Sequence, residues 1–258
     1  MRYASEGRFA QYREELFRFE GFEAAVVVPP CKPNGGLALK TVYYGAFPQL
    51  EYHLLELGYH VACIDCEGRW GREDEIDRMA RFVQSVSGRY GLNGKCIPIG
   101  MSAGGACAIK LGALHPEAVS VLYLDNPVVD YFSCPLGFGV KSKLVRTEEF
   151  LNYYHYTVSS VLTCRTSPFD YLPKLAAARV PMVLAYGTAD EIVPFEENEK
   201  YLIDLYDREA IPSLIIPREG MEHHPHGVED DSGIIDFFRT YDSAVYEKTS
   251  INDQINII

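Results

Sequence analysis

Lys95 to Leu114 reads KCIPIGMSAGGACAIKLGAL, and the order of residue types in it decides the fold. Lys95 to Met101 is a short apolar run with the make-up of a buried strand, whereas Ala103 to Leu114 is small and apolar enough for a closely packed helix. Ser102 stands between them, with Gly100, Gly104 and Gly105 around it. Strand must therefore give way to helix within one sharp turn, where side chains on the neighbouring positions would collide. A strand feeding directly into a helix is the unit from which parallel sheets are built.

The alternation continues on both sides of that stretch. Upstream, Ala24 to Pro29, Leu37 to Tyr44 and His60 to Asp65 read as strands, and Pro48 to Leu57 as a short helix ended by Gly58. Glu73 to Val86 carries Ile76, Met79, Phe82 and Val83 at the spacing of an amphipathic helix. Downstream, Val119 to Leu124, a run containing Met182 to Ala185, and Ser213 to Ile216 read as strands, with helices at Phe195 to Tyr206 and Gly233 to Tyr241. The predicted class is α/β, a mostly parallel central sheet with helices on both faces. Between Val128 and about Ala176 the rhythm breaks, and Tyr131, Phe132, Phe138, Phe150, Tyr153, Tyr154 and Tyr156 gather around short helical pieces. That region reads either as a cap over a site at the sheet edge or as a surface excursion packed on the body. The expectation is one domain over 1–258 with a small cap insertion at about 128–176, and a weakly ordered tail from Val245.

Composition excludes several classes of function. Of 258 residues, 47% are hydrophobic and 23% charged, the balance of a chain with ample core, and the formal net charge of −12 repels phosphate backbones and anionic bilayers. No nucleic-acid partner and no membrane partner are expected. No apolar run is long enough for a signal-peptide core or a span, so a cytoplasmic location is the expectation. Seven cysteines with Cys63, Cys96 and Cys107 inside apolar runs read as reduced core residues, and Cys63-Ile-Asp-Cys66 has no second pair to complete a metal or redox site.

The chemistry gathers at three places. Gly100-Met101-Ser102-Ala103-Gly104 is a full G-x-S-x-G match that leaves the Ser102 hydroxyl exposed above the sheet edge and aims the Ala103 N–H at a substrate oxyanion. A serine nucleophile needs a base, and the base needs a carboxylate to fix its tautomer. Asp190 follows the strand around Met182 to Ala185 and is the expected acid. Glu191 competes with it, although its side chain should point away, and Asp125 and Asp130 are held in reserve. After the last strand, Gly220-Met221-Glu222-His223-His224-Pro225-His226-Gly227 places three of seven histidines in one loop, and His223 is preferred as base, with His224 the alternative. A metal would also explain three histidines, but the short H-H-P-H spacing does not easily put all three rings on one ion and no carboxylate–histidine partner pattern accompanies it, so none is assigned. The second oxyanion donor is expected from Tyr44-Gly45-Ala46-Phe47-Pro48, as the Ala46 N–H.

With nucleophile, acid and base in that order, the chain from about Gly21 to Tyr241 resembles the α/β-hydrolase superfamily. Gly45-Ala-Phe-Pro-Gln49, Leu54 to Asp65 (LLELGYHVACID), Tyr123 to Val128 (YLDNPV) and Glu222 to His226 (EHHPH) resemble bacterial prolyl-oligopeptidase-like and acetyl-xylan-esterase-like hydrolases. The resemblance implies cofactor-free hydrolysis of a small-molecule carboxylic ester, with carbohydrate acetyl esters as one class. Glu222 stands where such proteins often have glycine, and Tyr44-Gly45 replaces the His-Gly motif of lipases. The rivals are a serine peptidase of the prolyl-oligopeptidase type and a binding module with a lapsed triad.

Overall fold

The computed structural model describes residues 1–5 and 7–242. Its strands are β1 (Arg13–Phe19), β2 (Phe22–Val28), β3 (Leu37–Lys40), β4 (His60–Ile64), β5 (Ile97–Met101), β6 (Leu122–Asp125), β7 (Met182–Gly187) and β8 (Ser213–Arg218). They form one sheet in the order β1-β2-β4-β3-β5-β6-β7-β8. β1 and β2 pair antiparallel, as do β2 and β4; every other pairing is parallel. The helices are α1 (Gln49–Glu56), α2 (Glu73–Tyr90), α3 (Ala103–Leu114), α4 (Thr147–Tyr154), α5 (Val158–Val161), α6 (Pro168–Ala178), α7 (Glu199–Glu209) and α8 (Ser232–Tyr241). The tail expected from Val245 lies outside the described residues.

Strand alternation divides the core into two layers. Ala24 and Val26 face the layer that holds Ile76, Phe82, Leu111, Leu175 and Leu202, from α2, α3, α6 and α7. Ala25 and Val27 face Leu54, Leu55, Ile234 and Phe238, from α1 and α8. Successive side chains on a strand point to opposite faces, so a strand buried on both sides must be apolar throughout, as AAVVV in β2 is. A third cluster joins Trp70 and Ala106 of the body to Tyr131, Cys134, Leu136, Phe150 and Val161 of the aromatic segment. Within that segment α4 and α5 lie outside the sheet layers, whereas α6 packs in the first layer as the crossover helix from β6 to β7.

Three elements differ from the sequence reading. β1 was not anticipated: it is an edge strand whose alternate residues are exposed, joined to β2 through Glu20 and Gly21, both at positive φ (49° and 87°) as a two-residue I′ hairpin requires. The strand expected to run to Tyr44 leaves the ladder after Lys40, because the chain turns across the sheet's carboxyl edge there. The helix expected from Phe195 starts properly only at Glu199, after a 3₁₀ turn at Phe195–Glu197. Asn198 interrupts it, and its buried Oδ1 accepts the Val129 and Asp130 N–H groups at 2.9 and 3.1 Å.

His60, on β4, gives the fold an acid-sensitive point. It is 2% exposed, packs on the Tyr90 ring, and its Nδ1 has no partner among the described residues. Burial pulls its pKa from 6.5 down to about 4. A histidine held neutral by the fold contributes stability that is complete above pH 6.5 and is lost as pH falls toward 4, a swing of about 3 kcal/mol. Urea midpoints at pH 7 and pH 4.5 should differ accordingly, and His60→Gln should flatten that difference; an unchanged slope in the variant would assign the acid sensitivity elsewhere.

Candidate active site

The order of strands reverses around β3, and ligands of open parallel sheets bind beyond the carboxyl ends of the strands near such a reversal. Ser102 leaves β5 at that edge, Asp190 follows β7, and the histidine loop follows β8. Ser102 holds φ 53° and ψ −124°, a strained conformation that costs roughly 1–3 kcal/mol and persists because the surroundings over-determine it. Its N–H donates to the Asp125 carbonyl at 3.0 Å, and its own carbonyl accepts from Gly105 and Val128 N–H, both at 2.9 Å. A Cβ on Gly105 would lie 2.3 Å from Pro127 Cβ, so only glycine lets α3 approach the chain leaving β6.

The three expected residues lie in one hydrogen-bonded row. His223 Nε2 is 3.0 Å from Ser102 Oγ, and His223 Nδ1 is 2.6 Å from Asp190 Oδ2. Asp190 Oδ1 accepts from the Ile192 and Val193 N–H groups, each at 2.8 Å. A carboxylate only accepts, so Nδ1 carries the ring proton and Nε2 presents a lone pair to the serine hydroxyl. Asp190 and His223 are 7% and 4% exposed. Glu191 points away, exposed and paired with Lys143.

The reserve candidates have other partners. Asp130 is half-buried and accepts from the Phe132 N–H at 2.9 Å. Asp125 is fully buried beneath His226: its Oδ1 lies 2.9 Å from His226 Nδ1 and 2.7 Å from the Arg218 guanidinium, and its Oδ2 accepts from Gly227 N–H at 2.6 Å. A second carboxylate–histidine pair thus stands beside the first, which the sequence reading had not anticipated. His224 is exposed and stacks on Phe47. Burial lowers the pKa of both His224 and His226, and the neighbouring imidazoles lower it further. Asn126 was also missed. Its side chain donates to the His223 carbonyl at 3.0 Å and accepts from Gly187 N–H at 2.8 Å, tying the ends of β6 and β7 to the histidine loop.

One of the two expected oxyanion donors is corrected. The Ala103 amide sits in the first turn of α3, where helix geometry supplies no intrahelical acceptor. The Ala46 amide donates to the Tyr43 carbonyl at 2.9 Å, closing a tight turn through Gly45, so it is already engaged. That loop is held from below by a buried ion pair: Lys40 Nζ lies 2.6 Å from Glu51 Oε1 and donates to the Ala46 carbonyl at 3.1 Å.

A cavity of about 320 Å³ opens over Ser102, walled by Tyr43, Phe47, Arg69, Leu144, Arg146, Ile192 and the three histidines. A larger groove of about 800 Å³ between α6 and α7 shares no residue with it. Cys63 and Cys66 lie apart from the cavity, buried, and burial pushes the Cys63 thiol up to about 12. No helix among the described residues is long and apolar enough to cross a membrane.

Solved structures with the same arrangement of sheet and helices place this architecture. A puromycin-hydrolysing peptidase of Mycobacterium tuberculosis superposes with a TM-score of 0.67 at 15% identity, covering 85% of this chain and 37% of that one. The fold is that of the α/β-hydrolases. An acylaminoacyl peptidase of Pyrococcus horikoshii (TM-score 0.62, 13% identity) covers 82% of this chain and 38% of its own, so the chain spans little more than a third of either protein. A membrane phospholipase A described as a bacterial virulence factor (TM-score 0.58, 17% identity) covers 92% of this chain and 88% of that one. No protein-family model and no curated protein matches the sequence. In this chain the turns after β5, β7 and β8 bring Ser102, Asp190 and His223 together at the carboxyl edge of the sheet.

Proposed function

We propose that the protein is a serine hydrolase acting on small carboxylic esters through an acyl-enzyme, with Ser102 as nucleophile, His223 as base and Asp190 as the carboxylate that orients it. The observation that carries this reading is the unbroken row from Ser102 Oγ through His223 to Asp190, at 3.0 and 2.6 Å. Ser102 Oγ attacks the ester carbonyl as its proton passes to His223 Nε2. The imidazolium formed is stabilised by Asp190 and returns the proton to the leaving alkoxide. Water, deprotonated by the same nitrogen, then releases the acid. The Ala103 N–H stabilises the oxyanion in both steps.

A cavity of about 320 Å³ sits at the lower end of the range for small-molecule sites, which favours a short acyl group and a compact alcohol, carbohydrate acetyl esters among them. Leu144 and Arg146 line that cavity, which supports a capping role for the part of the 128–176 segment that precedes α6. No cofactor enters the scheme, and seven free cysteines support a cytoplasmic setting. A second reading, peptide-bond hydrolysis, rests on the neighbours named as peptidases, whose own chains extend well beyond the part matched here.

Labelling with a fluorophosphonate, together with rates on p-nitrophenyl acetate and on a proline anilide, tests both. Labelling with acetate turnover and no anilide turnover is the expected outcome. Preferred cleavage of the anilide would replace the esterase reading by the peptidase one, and absence of both label and turnover would leave a binding module.

A further inference from the structure

We propose that His223, His224 and His226 form a binding site for a borderline-soft divalent transition-metal ion such as Zn²⁺, and that its occupancy shuts off the serine chemistry. The inhibitory half rests on the esterase reading above; the binding half does not.

Three imidazoles each offer one nitrogen, and these nitrogens all lie within 4.8 Å of one another. The ring centroids form a nearly equilateral triangle with sides of 4.7, 5.0 and 4.9 Å, and the ring planes are inclined at 67°, 76° and 86°. A nitrogen lone pair lies in its ring plane, so rings inclined this steeply, now in edge-to-face contact, can be turned to aim three lone pairs at one point without stacking against each other. Zinc–imidazole bonds of about 2.0–2.1 Å need the nitrogens roughly 3.4 Å apart in a tetrahedron, so the triangle must tighten by about 1.4 Å at its widest. His224 is exposed, its ring resting on Phe47 and on the other two imidazoles with no carboxylate fixing it, so it is the ring best placed to make most of that movement, and its exposure leaves the site open to solvent.

The carboxylates argue for a metal more strongly than the histidine count does. A metal-bound histidine characteristically donates its other ring N–H to a carboxylate, which fixes the ring and makes the ligating nitrogen more basic. Two of these three rings already have that partner: Asp190 at 2.6 Å on His223 Nδ1, and Asp125 at 2.9 Å on His226 Nδ1. Both carboxylates are themselves held, Asp190 by two backbone amides and Asp125 by Arg218 and the Gly227 amide. Each pair leaves Nε2 as the nitrogen that keeps a lone pair for a metal. The row through Ser102 needs only one of the two pairs, so ester hydrolysis does not account for the second. His223 Nε2 cannot bind a metal and accept the Ser102 proton at once, and inhibition follows from that competition. The fourth coordination position falls to water or to Ser102 Oγ on the cavity side.

The test starts from full-length protein stripped with a chelator and dialysed. Calorimetric titration with Zn²⁺ should give one site per chain, weakened at least tenfold in His224→Ala and in His226→Ala, less in Asp125→Asn, and retained in Ser102→Ala. Circular dichroism on each variant checks that it folds, and the exposed His224 supplies the variant least able to disturb the core. The Co²⁺ complex should show the intense visible bands of a four-coordinate site, lost in His224→Ala. Stoichiometric Zn²⁺ should suppress p-nitrophenyl acetate turnover, reversibly with chelator, and the suppression in His224→Ala, measured against that variant's own metal-free rate, should need at least tenfold more Zn²⁺. No saturable Zn²⁺ binding, or binding that His224→Ala and His226→Ala leave unchanged, overturns the site even if the protein is a good esterase. Zinc that raises turnover and sustains it in Ser102→Ala overturns the inhibitory role. If the wild type hydrolyses no ester, calorimetry and the Co²⁺ spectrum still decide the site.

Discussion

Ser102→Ala should lower kcat on p-nitrophenyl acetate by roughly 10⁴- to 10⁶-fold while leaving the melting temperature almost unchanged. In the proposed reaction the oxygen removed is the atom that bonds to the acyl group, and no other hydroxyl among the described residues is bonded to His223 Nε2. The backbone strain at φ 53° stays, because alanine meets the same steric penalty as serine, so the variant neither gains nor loses much stability. What remains is the slow attack of water on an ester polarised by the Ala103 amide. Steady-state kinetics with a fluorophosphonate-titrated wild type as reference measures the drop. A variant within tenfold of wild type would move the nucleophile elsewhere.

Asp190→Asn should cost about 10⁴-fold in kcat, a loss out of proportion to a change of one atom. The reason lies in how Asp190 is held. Its Oδ1 accepts from the Ile192 and Val193 amides, and these two donors would keep the oxygen of an asparagine on the same side. The new NH₂ group would then face His223 Nδ1 and donate to it. The ring proton moves to Nε2, the lone pair facing Ser102 Oγ disappears, and the hydroxyl has no base. Activity should recover partly as pH rises and hydroxide substitutes for the imidazole. Glu191→Gln, one residue along, should stay within about twofold, because that side chain is exposed and paired with Lys143. Equal losses in the two variants would show that charge in the loop, not the tautomer at His223, matters.

Legibility in the sequence followed how far a residue's own surroundings in the chain mark it. The turn at Ser102 is legible because a sharp passage from strand to helix forces glycine at 100 and 105 within a few residues of it, and this local demand leaves a written pattern. The positions of Asp190 and His223 at the sheet edge are legible because each follows a strand that the alternation of apolar runs exposes. The Asp125–His226 contact leaves no such mark, since no motif ties either residue to the other and their meeting depends on the order in which β6 and β8 lie in the sheet. Ala46 was misassigned because the end of β3 is set by the turn at Tyr43, and nothing in LALKTVYY marks where the ladder stops. β1 escaped because an edge strand that buries little needs little apolar character. Asn198, which breaks a helix to satisfy two amides of the aromatic segment, reads in isolation as an ordinary polar residue.

The Lys40–Glu51 pair beneath the loop over Ser102 bears on how this protein can change through time. Both side chains are at most 1% exposed, and losing either one strands a bare charge at a cost of about 3–5 kcal/mol, a large part of the stability of a typical domain. Exchanging both for apolar residues of similar volume costs far less. Positions 40 and 51 are therefore coupled in descent: single steps away from the pair run through a disabled intermediate, and the two codons are free to drift only together. The shape of the loop that Lys40 fastens at Ala46 is inherited with them.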